Sequence, residues 1–275
     1  MGDDSTRRRA IHLRRFLGTS LVLALLVLGL GWPLRTAQAA PPAASSQVLT
    51  VETSSRTAST GQLRAWERSG GGWRLVAGPY SVFVGANGVG AAREGSATTP
   101  EGTFPLTEAF GRLPNPGTAM PYFRSDTSDW WDSNPSSPTY NTHVRRTTSP
   151  GGASENLYRT GASYDYAVNI GYNLARVPGA GSAFFLHVSN GRPTAGCVSM
   201  DRDALVGILR WLRPDAQPQI IIGVAPVWAG PAENSSAIGG SGSAYFLDDR
   251  FTGVANRVFR YGEPADEVYV GDWDG

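Results

Sequence analysis

Phe184-Phe185-Leu186-His187-Val188-Ser189-Asn190-Gly191-Arg192-Pro193-Thr194-Ala195-Gly196-Cys197-Val198-Ser199-Met200 is a buried strand that ends in a histidine, followed by a Gly/Pro loop that ends in a cysteine. Cys197 is the only cysteine of the 275 residues. A thiol attacks carbonyls as the thiolate, and a free cysteine with a pKa of about 8.5 needs a neighbouring imidazole or dipole to form it near neutrality. His187, upstream across the returning loop, is such a neighbour. Gly196 allows close backbone approach to a substrate, amides around Gly196 and Cys197 suit an oxyanion, and a helix starting at Asp201 adds partial positive charge. These residues point to acyl transfer through a thioester. A buried structural cysteine and a merely hydrogen-bonded histidine fit the same spacing. His143 is a second, weaker candidate.

Outward from this stretch the pattern is mainly β. Gln47 to Thr53, Gly61 to Glu67, Gly72 to Ala77 and Tyr80 to Val84 carry clustered or alternating β-branched and aromatic residues, with a Ser-Gly-Gly-Gly turn at 69–72. Residues 112–163, rich in Pro, Ser, Asn, Trp and Tyr without helical periodicity, predict a long irregular loop insertion. Its Trp130, Trp131, Tyr140 and Tyr158 are candidates to line a cleft. Tyr166 to Tyr172 and Ala183 to Val188 return to strand character. Asp201 then caps the one main helix, about 201–212, in which Leu205, Ile208, Leu209 and Leu212 share a face before Pro214. Ile220 to Val224 predicts a last strand.

At the N-terminus five arginines precede an uncharged apolar run from Phe16 to Trp32, and Ala37-Gln38-Ala39 supplies small residues for cleavage. Residues 1–39 therefore predict a signal peptide, with a retained anchor as the alternative, and 40–47 a flexible lead-in. The membrane enters only transiently, through that peptide. Its removal leaves 18 arginines against 21 acids, a net charge of −3 that speaks against a nucleic-acid partner. All 24 basic residues are arginine, as a GC-rich genome would give. Three histidines and one cysteine do not make a structural zinc cluster, so no metal is expected in the domain. Acyl transfer needs no cofactor. Residues 48–226 predict the principal domain and 227–244, rich in Gly, Ser and Ala, a linker. Residues 245–275 predict a partial β-repeat ending in Asp272-Trp273-Asp274-Gly275, where Asp272 and Asp274 resemble the start of a Ca2+ loop.

The His187 to Cys197 segment is similar to the signature of the L,D-transpeptidase (YkuD-like) catalytic domain, an upstream His followed by Ser/Thr-x-Gly-Cys, which Thr194-Ala195-Gly196-Cys197 matches. A second block, Glu94-Gly95-Ser96-Ala97-Thr98-Thr99-Pro100-Glu101-Gly102-Thr103-Phe104, resembles the family's acidic Thr-Pro-x-Gly segment. The resemblance covers 47–224. It implies a mainly β fold, an L,D-transpeptidase-type β-sandwich of mixed sheets. It also implies attack of Cys197 on the carbonyl between the third and fourth residues of a peptidoglycan stem peptide, with release of D-alanine and transfer of the acyl group to an amine. Carried over, His187 is base and then acid, a carbonyl just after it orients its ring, and Thr194 and Gly196 shape the loop.

The tail resembles the opening of the FG-GAP/VCBS-like repeats that follow catalytic domains in many actinobacterial secreted proteins. The sequence departs from the family pattern at Ala195, where His is usual, at Ser199, where Arg is frequent, and in a shorter His-to-Cys loop. Arg192 is the candidate replacement clamp for a substrate carboxylate, with Ser199 and Tyr166 as further substrate contacts. The resemblance implies an exported cell-wall enzyme acting on stem peptides. Two alternatives remain open: an L,D-carboxypeptidase with water as acceptor, and a non-catalytic wall-binding module with an inert, buried Cys197.

Overall fold

A computed structural model describes residues 43–69 and 72–228 in full and the backbone of 236–239, 244–248 and 257–260. The strands, in chain order, are β1 Gln47–Thr53, β2 Thr60–Ser69, β3 Gly72–Phe83, β4 Val89–Gly90, β5 Thr99–Pro100, β6 Gly102–Gly111, β7 Tyr122–Arg124, β8 Asp129–Asp132, β9 Thr142–Arg145, β10 Glu155–Asn156, β11 Ala167–Ile170, β12 Phe185–Val188, β13 Val198–Met200 and β14 Gln219–Val224. The one α-helix among the described residues is α1, Arg202–Trp211.

The main sheet runs β11-β12-β13-β3-β2-β1-β14-β6-β7, and β6 also pairs with β11. That extra ladder joins the ends, so eight strands form a closed ring, with β7 alongside Ala109–Gly111 of β6. Directions are mixed: β1 with β14, β12 with β13 and β6 with β7 are parallel, the rest antiparallel. The mainly β, mixed-sheet architecture with one helix is the one expected, its layers joined at both sides.

The period-2 alternation of strands sorts side chains onto two faces. Leu186 and Val198, neighbours in the β12–β13 ladder, point into the main core with Leu49, Val51, Leu63, Val82, Ile220 and Ile222. Leu205, Ile208 and Leu209 of α1, with Leu212 at its C-cap, close the same core. Each such side chain contributes about 1.5–3 kcal/mol when fully buried. The helix starts where expected because the Asp201 carboxylate accepts from the amides of Asp203 and Ala204 at 2.9 and 3.0 Å.

Three details differ from the sequence reading. Gly72 to Ala77 and Tyr80 to Val84 are one strand, because the β2–β3 ladder continues past Gly78-Pro79 through a bulge at Leu63–Ala65. The end of the lead-in is packed: Ser45 and Gln47 are buried, and Gln47 bonds the carbonyl of Trp211 and the amide of Arg213. The insertion carries order of its own, a three-stranded sheet β10-β8-β9 and a 3-10 turn, Gly161–Tyr164. Short strands of two to four residues leave too little periodicity to read.

Beyond the domain, Val227 and Trp228 pack beside Trp66 and Trp73, two residues into the expected linker. Ser236–Gly239, also within it, pairs with Ala244–Asp248, which pairs with Arg257–Arg260. The signal peptide and the Asp272/Asp274 loop lie outside the described residues.

Candidate active site

The other face of β11, β12 and β13 holds the site. Ladder positions place Ala167 beside His187 and His187 beside Ser199, while Phe185 stands two residues earlier on β12 and Cys197 two residues before Ser199, just ahead of β13. Cys197 and His187 therefore occupy diagonal positions on one face of adjacent parallel strands. Cys197 packs with Phe110, Trp131, Leu157, Tyr164, Ala183 and Phe185, so the insertion lies over this face.

The loop that delivers Cys197 is tied at several points. Thr194 pairs with Gly85 just after β3, its amide donating to Val84 and its carbonyl accepting from Ala86, each at 2.9 Å. The Thr194 hydroxyl donates to the Cys197 carbonyl at 2.6 Å and accepts from the Gly196 amide at 3.1 Å. Thr99, from the acidic Thr-Pro block, also donates to the Cys197 carbonyl, at 3.3 Å. Gly196 has φ +145°, and an added Cβ would stand 2.6 Å from the ring of Phe184. The two sequence blocks thus meet at the backbone of Cys197. Because the Gly196 amide is bonded to Thr194, Gly196 serves the loop's shape and its amide is not open to an oxyanion in this arrangement.

The Cys197 sulfur accepts the Phe185 amide at 3.4 Å and donates to the Ala183 carbonyl at 3.3 Å. Tyr164, in the same buried cluster, donates its hydroxyl proton to Glu155. Burial, then the charge of Glu155, push the thiol up to about 12 against the bond from the Phe185 amide. His187 Nδ1 stands 2.9 Å from the carbonyl of Val188, the carbonyl just after it. That acceptor assigns the proton to Nδ1 and leaves the lone pair on Nε2. Burial holds the imidazole below its ordinary value, opposed by the carbonyls of Val188 and Ser163, so at neutral pH it is an uncharged base.

A cavity of about 150 Å³ opens on Cys197 and is lined by Arg93, Glu94, Ser133, Glu155, Ser182 and Gly196 among others. Glu94 is fixed there by Tyr140 and Ser182, whose hydroxyls donate to it at 2.5 and 2.6 Å. Arg93, Glu155 and Tyr164 were not singled out in the sequence, since nothing local marks them; Glu94 was legible within its block.

The substrate contacts expected from the sequence are elsewhere. Arg192 is exposed at the tip of the His-to-Cys loop and does not line the cavity; Arg93 is the guanidinium that does. Tyr166 packs on the main core under Arg202, one residue out of phase with the site face. Ser199 is buried beside His187, its hydroxyl without a partner. His143 stacks on Phe123 and bonds Asp129 at 2.9 Å, inside the insertion. Of the cleft aromatics, Trp131 and Tyr140 are buried, Trp130 bonds the Arg146 carbonyl, and Tyr158 is exposed beside Arg112. Among the described residues no group of three or more His, Cys, Asp or Glu could hold a metal ion.

The model of the YkuD family, the L,D-transpeptidase catalytic domain, matches residues 48–227. The chain belongs to the L,D-transpeptidase catalytic-domain family. The matched span begins in β1 and ends just past β14, so it takes in the closed ring, the insertion and both strands of the Cys/His site. Among solved structures, the helical cell shape determining protein Pgp2 from Campylobacter jejuni is similar at 13% identity and a TM-score of 0.35, over 66% of this chain and 48% of that one. The chain thus spans about half the length of that match. No curated protein sequence matches it.

Proposed function

We propose that this chain is an exported peptidoglycan L,D-transpeptidase that works through a Cys197 thioester. The observation that carries the reading is the convergence on Cys197: it lines a cavity, two threonines hold its carbonyl, and His187 stands diagonal to it with a ring oriented by Val188. In the reaction, the Cys197 sulfur bonds the carbonyl carbon between the third and fourth stem residues. Its proton passes to His187, and the carbonyl π pair moves to oxygen. Collapse expels the D-alanine amine, which takes the proton back from His187. An amine of a neighbouring stem then attacks the thioester, giving the cross-link and returning the thiol. A neutral resting thiol beside a neutral imidazole suits transfer of the proton during attack.

The predicted signal peptide supports action in the cell wall, and the strands beyond Trp228 support a separate C-terminal β unit. The reading of that unit as the start of an FG-GAP/VCBS-like repeat with a partial Ca2+ loop rests on sequence resemblance.

A second reading, a non-catalytic wall-binding module, is favoured by the burial of Cys197 and its raised thiol pKa. Intact-mass analysis after incubation with a carbapenem separates the two. A single adduct on the mature chain and none on Cys197→Ala establishes the nucleophile, and no adduct on either overturns the transpeptidase reading. Supplying an acceptor amine to the acyl-enzyme then distinguishes cross-linking from hydrolysis by water.

A further inference from the structure

Glu155 is a partly buried carboxylate for which the thioester mechanism has no use. It sits on β10, shares the cavity with Cys197, and accepts a hydrogen bond from the hydroxyl of Tyr164, which packs in the same buried cluster as Cys197. Tyr164 is buried and sets its ring edge-to-face on His187, the centroids 5.4 Å apart. One tyrosine thus bonds the acid through its hydroxyl, packs in the cluster of the nucleophile, and sets its ring against the histidine.

A tyrosine hydroxyl has one proton to donate. While Glu155 is ionised, that proton is committed to the carboxylate and is withheld from the sulfur, whose own S–H donates to the Ala183 carbonyl, so the thiol is the favoured form. When Glu155 is neutral, its own O–H donates to the Tyr164 oxygen, and the tyrosine proton turns to the sulfur, which stabilises the thiolate. We propose that Glu155, acting through Tyr164, is a positioning residue that holds Cys197 as the protonated thiol until the carboxyl is neutralised. The proposal rests on Cys197 being the nucleophile and adds a control on its acidity. The other charged or titratable groups facing the site are Glu94 and Arg93 across the cavity and His187 beneath the tyrosine ring. Glu94 and burial both favour the neutral form of Glu155, so the switch is set above the ordinary carboxylate range.

Because Cys197 is the only cysteine, alkylation by iodoacetamide reads its acidity alone. Glu155→Gln mimics the neutral acid, since its amide can donate to Tyr164. The pH profile of alkylation should move down by about one unit, with a rate at pH 7 about tenfold higher, while Glu155→Asp, which keeps the charge, stays near wild type. Circular dichroism confirms that each variant is folded. An unchanged rate in Glu155→Gln overturns the proposal. Equal acceleration by Gln and Asp, with both profiles drifting to that of an ordinary exposed thiol, also overturns it and marks Glu155 as packing only. The carbapenem adduct is read in parallel. An adduct with no Gln effect removes the switch and keeps the nucleophile; a Gln effect with no adduct removes the transpeptidase reading and keeps the switch.

Discussion

The side chain of Thr194 bridges the two residues that follow its neighbour, donating to the carbonyl of Cys197 at 2.6 Å and accepting the amide of Gly196 at 3.1 Å. Thr194→Val removes both bonds and leaves a buried carbonyl with only the longer bond from Thr99. Loss of stability of about 1–3 kcal/mol is expected, with carbapenem acylation slowed tenfold or more, while Thr194→Ser retains both. Thermal unfolding and time-resolved intact mass check it.

Gly196→Ala tests the approach of backbone to ring. At φ +145° a side chain is strained, and its Cβ would meet the Phe184 ring at 2.6 Å and the Thr98 carbonyl at 3.2 Å. The expected result is a lowered Tm together with loss of the carbapenem adduct.

His187→Gln removes the proposed base and keeps a side chain of similar polarity. Acylation should fall by about 10²–10⁴-fold, the usual worth of a general base. Alkylation of Cys197 by iodoacetamide at pH 9, which needs no protein base, should change little by comparison.

The insertion carries its own acid sensitivity. Burial alone would raise Asp132, but hydrogen bonds from Ser137, Thr139, the Asn134 amide and Ser154 outweigh it and hold the carboxyl below 3.8. A group whose folded pKa is depressed stabilises the fold fully above its unfolded value and loses that contribution as pH falls through the folded one. The wild-type Tm should therefore drop below about pH 3.8, and Asp132→Asn should be less stable at pH 7 with a flatter profile. Thermal unfolding between pH 2 and 7 checks it.

The parts of the fold with strong periodicity were legible. β1, β14 and α1 appear within a residue or two of their expected bounds, since β-branched runs and the Leu205/Ile208/Leu209 spacing report burial directly. The convergence at the candidate site was legible where chemistry is concentrated in sequence: Cys197, His187, Thr194, Gly196 and the block around Thr99 come together in the fold. What stayed hidden is what only pairing creates. The closure of β6 on β11 joins segments some sixty residues apart. Glu155 and Tyr164 reach Cys197 from a stretch without periodicity, and Tyr166 was misplaced because one step along a strand exchanges the two faces.

The closed ring sets where this molecule can breathe. β12 is laddered on both sides, to β11 and β13, and β13 is held between β12 and β3, so releasing either breaks two sets of backbone bonds at once. The insertion above them rests on strands of two to four residues. Local opening is cheapest where such bonds are few, so the amides of β8 to β10 should exchange with deuterium well before those of Phe185 to Val188. Whatever loosening reaches Cys197 should therefore come from the covering segment, over a wall that keeps its register.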